Sequence, residues 1–211
     1  MANVPFSRLY DQVLPYIPGA ELPIVDVQIR KALREFMKRT TLIRQTFTFP
    51  TVAGFPSYQL TPTFGQMSSV LQVFLDNTDG HELELPVRTE EQRYAGVSPG
   101  QPNSYWSTLP NVVMLYPTPN DVFQISAIGV VTLKQDDTTF PEELLDNYAE
   151  IIAAGAIAAL TAMQGKPWTS SPSSQAAGRT FSDGIKTIRA SLRDGGQPNQ
   201  STFRGIARFG A

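Results

Sequence analysis

The sequence predicts an α+β fold: a helical bundle made of 1–43 and 140–194, an antiparallel β-rich domain inserted at 44–139, and an extended C-terminal tail over 195–211. Three observations carry that prediction. Apolar residues recur at helical spacing before position 43 and after 140, they alternate at strand spacing in between, and the last stretch holds too little apolar material for a core of its own. At 211 residues the chain can bury about 70% of its unfolded surface, enough for one substantial core.

The elements follow in order. Phe6, Leu9, Tyr10 and Val13 share a face, so a short helix is expected over about 6–14, stopped by Pro15 and Pro18. A longer helix begins near Pro23, where a proline suits the first turn, and runs to Ile43. Ile29, Leu33, Phe36 and Met37 form its buried stripe, while Arg30, Lys31, Arg34, Lys38 and Arg39 face away beside Glu35. From Thr41 the period changes. Arg44 to Phe49 alternates with aromatic and β-branched residues, and further strands are expected at 57–60, 69–75, 82–85, 104–108, 112–116 and 122–133. Asp79-Gly80 reads as a hairpin turn carrying His81 into solvent, 88–94 as one or two exposed helical turns, and 97–103 as a loop.

The third helix starts at Phe140-Pro141, with Glu142 and Glu143 matched to the positive end of its dipole, and runs to Gln164. Between Ile151 and Met163 it is apolar nearly all round, so it must be surrounded. Its many alanines and Gly155 let neighbouring backbones come close. The expected bundle core is therefore Leu33, Phe36, Met37, Ile152, Gly155, Ala156, Ala159, Phe181 and Ile185. Gly165 and Pro167 should end this helix as a C′ glycine and a following proline. A last helix over about 173–192 places Phe181, Ile185, Ile188 and Leu192 on one face.

Composition removes most catalytic chemistry. Without cysteine there is no disulfide, thiolate nucleophile or cysteine-ligated metal, and a single histidine leaves few metal hydrolases or Ser-His-Asp arrangements. No nucleotide loop, zinc motif, calcium loop or nucleophile elbow occurs. The acidic pairs Asp136-Asp137, at a strand end, and Glu142-Glu143, in a first helical turn, read as a solvated loop and a dipole-matched helix start; adjacent helical acids also diverge by about 100°, poor geometry for a shared metal or an acid/base pair. The expectation is a non-enzyme with no cofactor and no metal. The amino terminus lacks the pattern of a signal peptide, and the apolar run at 151–160 is about half of the ~20 residues that a membrane span needs.

Two surface features invite partners. Charged residues make up only 17% of the chain, below the roughly 25% of ordinary soluble domains, as suits a surface largely covered by other subunits. The tail combines Phe203, Ile206 and Phe209 with Arg204 and Arg208, residue types that anchor interfaces. It reads either as a disordered terminus or as a docking peptide. The basic face of the helix at 23–43 reads either as a solvated face or as a surface for nucleic acid, although it lacks the aromatics that stack on single strands. A decoration or receptor-binding protein built on the strands is a further alternative.

The stretch 148–168, YAEIIAAGAIAALTAMQGKPW, resembles the head-to-tail adaptor (connector) proteins of tailed bacteriophages, the group that includes tail tubular protein A of short-tailed phages. Ile17-Pro18-Gly19-Ala20 leading into Ile29-Arg30-Lys31-Ala32-Leu33-Arg34-Glu35-Phe36, then Leu115-Tyr116-Pro117-Thr118-Pro119, Leu144-Leu145-Asp146 and Phe181-Ser182-Asp183-Gly184-Ile185 agree in order and spacing. The resemblance covers about 10–193. It implies a homo-oligomeric ring, of twelve copies, that joins the portal protein to a tail nozzle protein, extends the channel for double-stranded DNA, and sits at the head-tail junction of the virion, with tail fibres as further neighbours. Adaptors of this group use a terminal extension to grip the portal, which gives Phe203, Arg204, Ile206, Arg208 and Phe209 an expected portal-docking role. The chain departs from the group in lacking a strongly acidic stripe to line the channel.

Overall fold

In the computed structural model the described residues are 2–76, 82–88 and 98–193. His81, the expected helical turn beyond Arg88, and the tail residues Phe203 to Phe209 lie outside them. The described chain mixes helices with antiparallel strands, an α+β architecture, and divides into two compact units: 2–42 with 133–193, and 43–132.

The first unit opens with strand β1 (Asn3–Pro5), which pairs antiparallel with β9 (Thr139–Pro141). Neither strand was expected from sequence. The expected first helix is instead a 3₁₀ turn at Phe6–Leu9, a single α-turn α1 (Tyr10–Val13) and another 3₁₀ turn at Leu14–Tyr16. Pro15 lies inside that last turn because a first-turn position needs no N–H from it.

Helix α2 (Leu22–Thr40) buries Ile29, Leu33, Phe36 and Met37 completely. It stops three residues before the expected Ile43. Thr41 turns left-handed at φ 54°, and its N–H closes the end onto the Met37 carbonyl at 3.1 Å.

Helix α3 (Glu142–Thr161) has Pro141 at its N-cap, so the proline ends a strand as well as leading into the helix. It also ends earlier than Gln164. Ala162 is still right-handed, and Gly165, at φ 71°, serves the following turn instead of the C′ position. Helix α4 (Ser171–Arg193) returns along α3, and α2, α3 and α4 all pack against one another.

Small residues set the spacing of these helices. A Cβ on Gly155 would lie 2.8 Å from the ring of Phe181 and 3.2 Å from the Ala32 Cβ, and one on Gly184 would lie 2.8 Å from Ile151. Each glycine therefore receives a large side chain from the facing helix. At Gly178 the nearest neighbour, Ala158, would be 3.9 Å away, which is ordinary contact. By length and composition α3 could cross a membrane, but half of its apolar window is buried inside the fold, as a central core helix requires.

The second unit contains two antiparallel sheets. Strands β2 (Arg44–Pro50), β4 (Gln66–Asp76), β5 (Glu82–Glu84) and β8 (Gln124–Thr132) form one sheet in the order β2-β8-β4-β5. Strands β3 (Ser57–Gln59), β6 (Ser104–Trp106) and β7 (Val112–Tyr116) form the other in the order β3-β7-β6. β4 is longer at both ends than expected, and shifts of register at Met67/Ser69 and Val70/Gln72 interrupt its pairing with β8. Val73, Leu75, Val113, Leu115, Ile125, Ala127 and Val130 are buried in this unit. Arg88 lies 3.4 Å from the centre of the Tyr116 ring, a cation–π contact.

Candidate interaction surfaces

Of the residues expected in the helical core, seven are buried in the first unit. Leu33, Phe36, Met37, Ile152 and Ala156 are wholly enclosed, Ile185 nearly so, and Phe181 is 9% exposed against Gly155. Gly155 and Ala159 are half-buried.

The basic face of α2 is partly consumed by the fold. Arg30 donates to the carbonyl of Gln135 at 2.9 Å and lies 5.3 Å from the Phe6 ring, while Arg39 approaches Glu35 at 3.8 Å. Lys31 and Lys38 remain exposed, and Arg34 is half-buried. Of the acidic pairs, Asp137 Oδ2 accepts from the Lys134 backbone N–H at 2.6 Å, a loop-closing bond, and Glu142 and Glu143 lie in the first turn of α3. Among the described residues no group of three or more His, Asp or Glu side chains could hold a metal.

A groove of about 760 Å³ opens on the first unit among three helical segments. The segment at 10–16 contributes Asp11, Gln12, Pro15 and Tyr16. Helix α3 adds Glu150, Ala153, Ala154 and Ile157, and the start of α4 adds Ser173, Ala176, Ala177 and Thr180. Alanines on both helices keep its floor low, which leaves space where larger side chains would close the contact.

Its polar lining sets the acids Asp11 and Glu150 beside Gln12, Tyr16, Ser173 and Thr180, which can donate as well as accept. Asp11 and Glu150 are its charged residues, neither in an ion pair among the described residues. The Gln12 Oε1 is buried without a hydrogen-bond partner, a state that costs about 1–3 kcal/mol. Tyr16, at 61% exposed, stands at the rim. The α1 wall is pinned from behind, since the Tyr10 hydroxyl donates to Asp26 Oδ1 at 2.6 Å. Burial first, then the hydrogen bond and the negative charge of Asp26, push the Tyr10 pKa up to about 12.

The second unit carries an apolar tip. Val52, Phe55 and Val122 are 53%, 63% and 67% exposed, and the bond from Thr51 N–H to the Phe123 carbonyl, 2.8 Å, brings Val52 and Val122 to neighbouring positions. Tyr58 stiffens the turn, because its hydroxyl donates to the Phe55 carbonyl at 2.7 Å and accepts from the Val52 N–H at 3.0 Å. A rigid cluster of this kind is a surface feature of interaction sites.

The groove had no signature in the sequence. Asp11 and Gln12 belong to one segment and Glu150 to another 138 positions on; only the alanines of α3 and α4 hinted at close approach, and they read equally as packing.

No curated protein matches the chain. The family model of the SU10 adaptor protein, however, matches residues 5–204, both units included. With a match that spans nearly the whole chain, the protein belongs to the SU10 adaptor protein family, a family of phage adaptors.

Proposed function

We propose that this phage adaptor is the structural ring, of twelve copies, that joins the portal to the tail nozzle at the head-tail junction and continues the DNA channel, with no reaction of its own to perform. The family match across 5–204 is the observation that carries this reading. The resemblance to connectors such as tail tubular protein A points the same way. A ring subunit meets its two neighbours through unlike faces, so much of its surface is interface. That accounts for a charged fraction of 17% and for an apolar tip and a partly acidic groove on separate units. Duplex DNA would pass without sequence-specific contacts, since phosphate attraction needs only local Lys and Arg such as Lys31 and Lys38.

In this reading 1–43 with 140–194 forms the ring body, 44–139 the inserted β domain, and 195–211 the portal-docking tail, through Phe203, Arg204, Ile206, Arg208 and Phe209. Once the ring is seated, each tail acts at high effective concentration, so weak single attachments sum to a firm one. Negative-stain images of the protein mixed with portal rings test the assembly: ring-shaped extensions of the portal are expected, and a protein that stays monomeric beside unmodified portals refutes it. Removal of 195–211 should leave the helical content unchanged and weaken portal attachment, whereas undiminished attachment removes the tail's role.

A further inference from the structure

We infer that copies of this chain meet head to tail through two faces of opposite charge on the helical unit: the cationic flank of α4 on one copy lies against the acidic flank of α3, beside the groove, on the next. The inference rests on the ring reading and adds which faces form the contact between neighbours.

Charge is segregated by helix. α3 carries Glu142, Glu143, Asp146 and Glu150 and no lysine or arginine, whereas α4 carries Arg179, Lys186, Arg189 and Arg193 against the single acid Asp183. All four cations are exposed, as are Asp146 and Glu150. The two helices pack side by side, yet among the described residues no ion pair joins them; Lys186 pairs only with Asp183, 2.9 Å away on α4 itself.

Helical spacing explains why they do not meet. At about 100° per residue, the four cations fall within an arc of about 80° on α4, and the groove-lining Ser173, Ala176, Ala177 and Thr180 centre about 145° round from it. On α3, Glu143, Asp146 and Glu150 share one stripe with Ala153, Ala154 and Ile157, which form the groove's wall. The cations therefore stand on one flank of α4, and the acids, joined by the exposed Asp11, on the other.

Height agrees as well. With Phe181 against Gly155 and Ile151 against Gly184, α3 and α4 run antiparallel, so Glu150, Asp146 and Glu143 lie level with Ile185, Arg189 and Leu192. The cations span the same stretch. Rotation about an axis along the helices preserves height, and so brings the cationic flank of one copy to the acidic flank of the next, the unlike-face contact that closes a ring. Exposed ion pairs contribute little one by one, but several of one sign facing several of the other decide which faces meet and reject like faces.

The cysteine-free sequence makes the test direct. Two full-length variants are prepared, Ser182→Cys within the cationic arc of α4 and Thr180→Cys on the groove flank at nearly the same height. Equal amounts are mixed at high protein concentration and low salt with a short bismaleimide. Chance encounters make half of the linked dimers mixed. The inferred contact should make mixed dimers several-fold more abundant than both same-site dimers together. Asp146→Lys with Glu150→Lys in the Thr180→Cys chain should remove most of that excess, and Arg189→Glu with Arg193→Glu in the Ser182→Cys chain should then restore it. Circular dichroism establishes that each variant is folded. Mixed dimers at the chance share, an absence of linkage, or reversal without restoration overturns the inference. No portal enters the experiment, so the two readings fail separately: rings on portals with chance-level linkage remove this pair of faces and leave the ring, and mixed dimers without rings on portals do the reverse.

Discussion

Replacing Gly155 and Gly178 by alanine, one at a time, separates helix propensity from packing at the α3–α4 contact. Both glycines lie inside helices, where alanine is favoured over glycine by about 1 kcal/mol. At position 178 the new Cβ meets Ala158 at 3.9 Å, so nothing opposes that gain and Gly178→Ala should stabilise by about 1 kcal/mol. At position 155 the Cβ would lie 2.8 Å from two ring carbons of Phe181 and 3.2 Å from Ala32. Carbon atoms prefer about 3.5–4.0 Å, so the ring must retreat by most of an ångström, and overpacking of this kind costs about 1–3 kcal/mol. Gly155→Ala should therefore come out neutral to about 2 kcal/mol less stable than wild type, and about 1–3 kcal/mol below Gly178→Ala.

The natural probe is Trp168, 7% exposed in the helical unit, followed by fluorescence through urea unfolding. Trp106 belongs to the other unit, so Trp106→Phe in all variants isolates the signal. Adding Phe181→Leu to Gly155→Ala should cost less than the sum of the two single changes, because the smaller side chain no longer meets the new methyl. If Gly155→Ala stabilises as much as Gly178→Ala, the close packing of Phe181 on Gly155 is not what sets the helix separation.

Other consequences can be measured in the same way. Phe36 is wholly enclosed with its ring centre 5.4 Å from that of Tyr148, and Phe36→Ala should lower the stability of the helical unit by about 3–5 kcal/mol in urea unfolding. Tyr10→Phe removes the bond to Asp26 and should cost about 1 kcal/mol at neutral pH. Because folding raises the Tyr10 pKa from 10.0 to about 12, wild-type stability from this group is intact below pH 10 and is lost as pH rises through 12; the gap between wild type and Tyr10→Phe should shrink across that window, and a constant gap refutes the assignment.

What the sequence made legible was long and periodic. The stripe Ile29, Leu33, Phe36, Met37 repeats often enough to mark the buried side of α2, and the short apolar run from Val112 to Tyr116, closed by Pro117, gives β7 its limits. Short and non-local features were not legible. β1 and β9 have three residues each, end in proline, and acquire their partner from 136 positions away, so no window of local periodicity contains the pair. β4 escaped at its start because its two register shifts, both before Val73, break the alternation that a strand is recognised by. Pro141 and Gly165 show a related effect: each residue does what its chemistry favours, but a few positions from where a helix alone would use it, because the neighbouring strand and turn need it there. The groove was the least legible feature of all. Concavity depends on which side chains fail to meet, and sequence reports only which ones are present.

The division of the chain has a consequence for its birth on the ribosome. Among the described residues the strand-rich unit is continuous in sequence, whereas the helical unit needs residues from both sides of it. Phe36 leaves the exit tunnel 112 positions ahead of Tyr148, its ring partner. At about 5–20 residues per second that is a wait of roughly 6–20 s, during which the apolar stripe of α2 has no α3 to lie against while the strands behind it can already fold. Newly made chains should therefore be captured by nascent-chain chaperones through the segment containing Ile29, Leu33 and Phe36, and released only when α3 has been synthesised.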